Sequence, residues 1–200
     1  VSIALEELGL PYRVHAVNIA KGEQLSEEFA RISPNQKIPA IVDSDAGLTL
    51  MESGAILMYL AGKAGRLLPA EPDRYWEAIQ WLMWQKAAFG PMLGQALHYL
   101  KYNRGKSTYS EDRFEIETHR LYRVLDRQLE SREFIAAGEY TIVDIACWPW
   151  TARHEYQSVD LHEYPHVLDW YMRIAERPAV RAGWAVPVPE DVPLPPPADV

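Results

Sequence analysis

NQKIPAIVD (residues 35–43) and LTLMESGAIL (residues 48–57) are the two runs on which the reading of this chain turns. Each contains a short stretch of apolar or β-branched residues, and the turn residues DAG lie between them, the composition of a hairpin. Pro39 stands at the entrance of the first run, where it removes a donor from any ladder. The second run passes through Met51-Glu52-Ser53-Gly54 before the helical pattern of Ala55–Leu60. Glu52 and Ser53 therefore lie where a helix begins. Such a terminus offers free N–H groups and a partial positive charge, both favourable to a carboxylate. Ser53 adds a hydroxyl, and Glu52 suits an ammonium group beside it. Together they fit an α-amino acid head. A plain cap by Ser53, with Glu52 in solvent, accounts for the same residues equally well.

Outward from this stretch, residues 1–9 read as a helix with Ile3, Ala4 and Leu8 on one side. Gly9 is its cap glycine, and Pro11 follows. YRVHAVNI (12–19) reads as a strand, KGEQ (21–24) as a turn, and LSEEFARISP (25–34) as a short helix with Ser26 as N-cap. The helix that follows the hairpin spans 53–64 and ends near Gly65. The order αβαββα opens on a helix and lacks the strand that a right-handed β-α-β crossover requires. One strand and a turn, about a dozen residues upstream of Val1, would complete βαβαββα. That is the thioredoxin-like arrangement. In it a cis Pro39 brings the main chain of Ile38 to the surface, where an extended peptide can pair with it. A trans proline in an ordinary loop is the alternative.

The pattern changes after LLPAEPD. The reading divides the chain into an incomplete thioredoxin-like domain (1–66), a linker (67–72), an all-helical domain (73–185) and a proline-rich tail (186–200). Residues 73–100 carry a long helical pattern that Gly90-Pro91 is expected to kink. YNRGKST is a loop. A second long helix spans 110–132, with Ile116, Leu121, Val124, Leu125 and Leu129 inward. In YTIVDIACWPW (140–150), Thr141 and Asp144 form the carboxylate version of a capping box, with Tyr140 and Ile145 as its staple. This pair reads as folding chemistry. Two short helices follow at 164–176 and 178–184. The tail PVPEDVPLPPPADV is expected to be extended or disordered, and solvated.

The charge balance is 20 Lys plus Arg against 28 Asp plus Glu, a net charge of −8. This argues against nucleic acid, whose recognition needs a basic face. An apolar fraction of 48% is enough for a substantial core. The single cysteine, Cys147, excludes an intrachain disulfide and a cysteine-only zinc site. It sits in an apolar helical run and reads as an inert core residue. The composition suits a reducing cytoplasm. No apolar stretch approaches the ~20 residues that span a bilayer. The six histidines show no metal-ligand spacing, so no metal is expected.

A thioredoxin-like domain carrying KIPAIV and ESGAI, followed by a helical domain carrying TIVDIA, resembles the glutathione transferases. KGEQ, FARISPNQKIPAIVD, WLMWQ, GPMLGQ, ETHRLYRVL and DIACWPW are similar to the bacterial Nu class of disulfide-bond oxidoreductase type, itself similar to the yeast nitrogen-catabolite regulator. The resemblance covers the chain except its tail. It implies a cytoplasmic homodimer that uses glutathione as cosubstrate to reduce disulfides, with weaker transferase or peroxide-reducing activity towards a small electrophile. It also implies roles for particular residues. Gln24 would contact the glycine end of glutathione or its disulfide. Ile38, ahead of a cis Pro39, would pair with the cysteinyl unit. Glu52 and Ser53 would hold the γ-glutamyl head, and Arg120 would reach across the dimer. Lys37 would help with a carboxylate or stand in solvent. The family's catalytic residue follows the first strand, so it is expected upstream of Val1. A second substrate would lie between the domains near Phe89, Met92, His98 and Tyr99, though helix packing explains Phe89 and Met92 as well. Trp81 and Trp84 read as core or dimer interface. A non-catalytic protein of this fold that binds or regulates is the second functional reading.

Overall fold

The structure is a computed structural model and describes residues 1–196. Helix α1 (Ser2–Leu8) buries Ile3, Ala4 and Leu8 and ends on Gly9, whose φ of 65° suits a residue without a Cβ. Residues 12–18 have no regular structure, which corrects the expected strand. Tyr12, Val14 and Ile19 are exposed. The composition of the segment is that of a strand, but a strand exists only with a ladder partner. None runs beside it among the described residues.

Two single 3-10 turns, Ile19–Lys21 and Glu23–Leu25, lead to α2 (Glu27–Ile32). Ser26 caps α2 by accepting from Phe29 N at 3.2 Å. Strands β1 (Ala40–Asp43) and β2 (Leu48–Met51) pair antiparallel, from Ala40 opposite Met51 to Asp43 opposite Leu48. At the hairpin's turn, Asp43 accepts from the N–H groups of Asp45 and Ala46. Helix α3 (Ser53–Ala64) follows at once and ends on left-handed Gly65.

The second half is helical throughout. Helix α4 (Pro72–Trp84) continues through a π-helical segment, Gln85–Phe89, into α5 (Gly90–Ala96) and a second π segment, Leu97–Tyr102. The irregularity expected at Gly90-Pro91 thus takes the form of a widened turn just before the proline. Pro91 has no N–H for the carbonyl one turn back, and the wider turn gives its ring room. Helix α6 (Thr108–Leu129) buries Thr118, Leu121, Tyr122, Leu125 and Leu129. Val124 is half-buried, whereas Ile116 is 68% exposed, against expectation. Five residues separate Ile116 from Leu121, about 140° around a helix of ~3.6 residues per turn.

Helices α7 (Ile142–Thr151), α8 (Pro165–Ala175) and α9 (Pro178–Trp184) complete the fold. The capping box of α7 is formed, with Thr141 Oγ1 accepting from Val143 N at 3.2 Å and Asp144 accepting from Thr141 N at 2.9 Å. Asp144 is fully buried and also accepts from Ile135 N and Trp170 Nε1. Trp148 stacks on Tyr171 with ring centroids 5.1 Å apart. Cys147 is wholly buried beside them.

Helix α1 is clamped to α9. Ser2 Oγ donates to Gly183 O at 2.7 Å, and Arg177 grips Glu7 with two hydrogen bonds of 2.6 and 2.9 Å. The same guanidinium lies 3.9 Å from the Tyr140 ring centre. These contacts lock the first helix onto the last, and so hold the hairpin and α3 against the helical half. The tail from Pro187 has no regular structure as far as Pro196 and is mostly exposed, as expected, but it is tied to the core at a few points. Trp184 Nε1 donates to Asp191 O at 3.1 Å, the Tyr171 hydroxyl donates to Pro193 O, and Val192 packs on the core. A proline-rich chain is poor in N–H groups, so its carbonyls are bound by donors from the core. Residues 197–200 of that expectation lie outside the described residues. No helix among the described residues is long and apolar enough to cross a membrane.

Candidate functional site

One small pocket gathers the residues around the hairpin. Its cavity holds about 70 Å³ and is lined by Ser33, Asn35, Lys37–Pro39 and Met51–Ser53. Ligand pockets usually begin at ~300 Å³, so this one takes only an end of an extended ligand and leaves the rest on the surface. Its floor is built by local chemistry. Fully buried Ser33 donates its hydroxyl to Lys37 O at 2.9 Å and accepts from Lys37 N at 3.4 Å. That closes the turn before Ile38. The Ile38–Pro39 peptide is cis, and Ile38 is 49% exposed. Its N–H and C=O have no partner among the described residues, because the ladder starts at Ala40.

Across the pocket, Glu52 has φ 68° and ψ 110°. This is a left-handed-side conformation that a side chain rarely adopts. It turns the chain from β2 into α3, and the Glu52 carbonyl accepts from Ile56 N at 2.9 Å. Asn35 Nδ2 approaches the Glu52 carboxylate at 3.5 Å. Ser53 is the first residue of α3, so the N–H groups of the helix's first turn point to this end. Its hydroxyl accepts from Lys86 Nζ at 2.8 Å. Lys86 belongs to the π segment after α4, on the opposite domain. Burial pushes its ammonium pKa down, and the nearby Cys147 and Glu52 act against that. An acidic side chain, a helix N-terminus and an unpaired strand-like edge thus face one space. They match an extended ligand with an amine, a carboxylate and an amide backbone.

Two family models account for most of the chain. The N-terminal domain of glutathione S-transferase matches residues 1–62, and its C-terminal domain matches residues 85–178. The chain belongs to the glutathione S-transferase family. It is similar to the disulfide-bond oxidoreductase YfcG of Escherichia coli, with 46% identity over 184 residues, 90% of this chain and 86% of that protein. Among solved structures, a Pseudomonas putida glutathione transferase with one glutathione disulfide bound per subunit superposes with a TM-score of 0.88. It is 42% identical and covers 94% of this chain and 86% of its own. A Burkholderia graminis glutathione transferase with two glutathione molecules per subunit also reaches 0.88, at 40% identity and 94% and 82% coverage.

Within this glutathione transferase fold, a thioredoxin-like unit followed by a helical one, the expected site residues fall into two groups. Lys37, Ile38, Pro39, Glu52 and Ser53 line one pocket. Gln24 and Arg120 do not. Gln24 sits on the second 3-10 turn, and its Oε1 is buried with no partner among the described residues. Arg120 is held by Glu117 one turn back on its own helix, through bonds of 2.7 and 2.8 Å. The residues expected near a second substrate separate as well. Phe89 is fully buried and stacks on Trp84 at 5.1 Å, so it is core. Tyr99 stacks on Phe114 at 5.4 Å, with His98 edge-on to it. Met92 alone of the four lines an open groove of about 500 Å³, with Tyr109, Arg113, Phe114 and Ile116 among its walls. Trp81 and Trp84 are half-buried and meet edge-on at 5.0 Å.

Three contributors were not legible in advance. Ser33 and Asn35 flank a proline and look like loop residues. Lys86 lies in a helical run, where one lysine reads as a solvated charge. Only the packing of the π segment against α3 brings it to Ser53.

Proposed function

We propose that this chain binds glutathione or glutathione disulfide and acts as a glutathione-dependent disulfide-bond reductase, with transferase and peroxide-reducing side activities. One observation carries the reading. Glu52, Ser53 and the start of α3 face the free main chain of Ile38 across a single pocket. Glu52 would take the ammonium of the γ-glutamyl head, while Ser53 and the first N–H groups of α3 take its carboxylate. The N–H and C=O of Ile38 would pair with the cysteinyl unit like a short added strand. Lys37 would stand by a carboxylate at the far end, and Gln24 near the glycine end. Arg120 would act across a homodimer. The glutathione-bound relatives and the oxidoreductase name of the Escherichia coli relative support this assignment.

The nucleophile in this reading is the thiol of glutathione itself. Cys147 is the only cysteine within residues 1–200, it is fully buried, and burial pushes its pKa up, so none of these residues supplies a competing thiolate. Glutathione thiolate attacks one sulfur of the disulfide, giving a mixed disulfide and releasing the other sulfur as a thiolate. A second glutathione thiolate attacks the mixed disulfide. The substrate leaves as two thiols, and two glutathiones leave as glutathione disulfide. A lone buried cysteine also suits a reducing cytoplasm, where glutathione is abundant.

The deciding experiment is calorimetric titration with glutathione disulfide, followed by turnover of a small dialkyl disulfide in the presence of glutathione. Saturable binding with formation of glutathione disulfide is the expected result. Binding without turnover would move the chain to the non-catalytic, regulatory reading. No binding would leave the pocket with a structural role only.

A further inference from the structure

We propose that Lys86, reaching in from the helical half, fixes the Ser53 hydroxyl as a donor to the carboxylate of the ligand's γ-glutamyl head. The inference rests on the glutathione reading above and assigns a positioning residue to it. An ammonium group has three donors and no acceptor. At 2.8 Å from Lys86 Nζ, Ser53 Oγ must therefore accept. Its own proton is left free, and no acceptor for it occurs among the described residues. Ser53 lines the pocket, so that proton is available to an anion bound there.

The cation is also incomplete. Lys86 is half-buried, yet no carboxylate lies within 4.0 Å of its Nζ among the described residues. A partly desolvated charge in direct contact with a neutral hydroxyl, with the Glu52 carboxylate farther off, gains from an anion brought close to it. The start of α3 favours the same charge. Two local features hold Lys86 in this place. The helix widens there, with Gly90 N–H donating to Gln85 O, and such π turns recur at functional sites. The lysine stem then runs over Gly54, where a Cβ would stand 3.1 Å from Lys86 Cε and 3.3 Å from Cγ. A larger residue at 54 would push the stem away from Ser53. The contact joins the two domains at the ligand's charged end, so its alignment depends on how the halves pack.

The test is calorimetry on the full chain with glutathione and with its analogue in which the γ-glutamyl α-carboxylate is a primary amide. Wild type, K86M, S53A and the double variant are compared. K86M is expected to weaken glutathione binding by about tenfold or more, the range for a lost charge-assisted bond. It is expected to leave the amide analogue nearly unaffected. In the S53A background, K86M should cost less than about threefold, because the lysine acts through the serine. K86Q serves as a second neutral variant should K86M not fold, and K86R should retain preference for the carboxylate. Equal affinity of wild type and K86M for glutathione would overturn the proposal, as would an equal loss for both ligands. Absence of glutathione binding by the wild type would instead remove the functional reading on which it rests, and this proposal with it.

Discussion

Glu52 has a conformation that costs of order 1–3 kcal/mol for a residue with a side chain. Its φ of 68° is tolerated because β2 and α3 fix the chain on both sides. Glycine would relieve the strain and remove the carboxylate. E52G is therefore expected to keep or raise the thermal midpoint, by up to ~4 °C for about 1 kcal/mol in a chain of this size. It is expected to weaken glutathione disulfide binding by about tenfold or more, since the ammonium loses its partner. Parallel melting and titration would check both parts. A variant that melts lower and binds equally well would show that Glu52 serves the fold. At this scale the sequence was partly legible. Glu52-Ser53 before a helical run suits an amino acid head by residue type, and a plain cap equally well. The backbone angle at Glu52 and the approach of Lys86 to Ser53 depend on contacts with distant segments, which no local pattern encodes.

Between elements, the hairpin is fastened to α3 through Asp43. Its carboxylate accepts from the Tyr59 hydroxyl at 2.7 Å and from the Lys63 ammonium. Bonds from Lys63 and Tyr59 hold its pKa well below the usual carboxylate range. A depressed folded pKa gives stability that is present above the unfolded value of ~3.9 and is lost as pH falls through the folded one. The difference in urea midpoint between wild type and D43N should stay constant above about pH 5 and shrink below about pH 4. A difference that widened in acid would contradict the pairing. Two glycines give a second contrast. A Cβ on Gly183 would stand 2.5 Å from the Ile3 main chain, whereas one on Gly62, exposed in α3, meets nothing within 4 Å. G183A should destabilise by about 1–3 kcal/mol or more through overpacking α1 on α9. G62A should stabilise by up to ~1 kcal/mol through helix propensity. Denaturant melts of both variants would show opposite signs. Element limits set by caps were readable, as at Ser26, Gly65 and Thr141. The supposed strand at 12–19 was not, because β-type composition says nothing of a partner. Ile116 was misplaced because it lies about 140° around α6 from Leu121, on the side away from the core.

For the molecule as a whole, ligand binding and stability are linked. If both halves hold the ligand, glutathione disulfide at about 100 times its Kd adds ~2.7 kcal/mol to the folded state. That corresponds to a rise in thermal midpoint of roughly 5–10 °C. Differential scanning across ligand concentration would measure it, and a midpoint independent of ligand would argue against binding. The sequence by itself determined the succession of a hairpin-bearing unit and a helical unit, the caps that bound their helices, and the pairing of an acidic residue with a serine at the start of α3. These follow from local propensity and from the motifs KIPAIV, ESGAI and TIVDIA. Tertiary structure alone decided that α1 closes on α9, that the proline-rich tail docks through Asp191 and Pro193, and that Lys86 meets Ser53. Each of these joins residues brought together only when the chain packs. Their cause is the fit of surfaces, such as Gly183 against Ile3 and Gly54 beneath Lys86, and that fit exists only once both surfaces are formed.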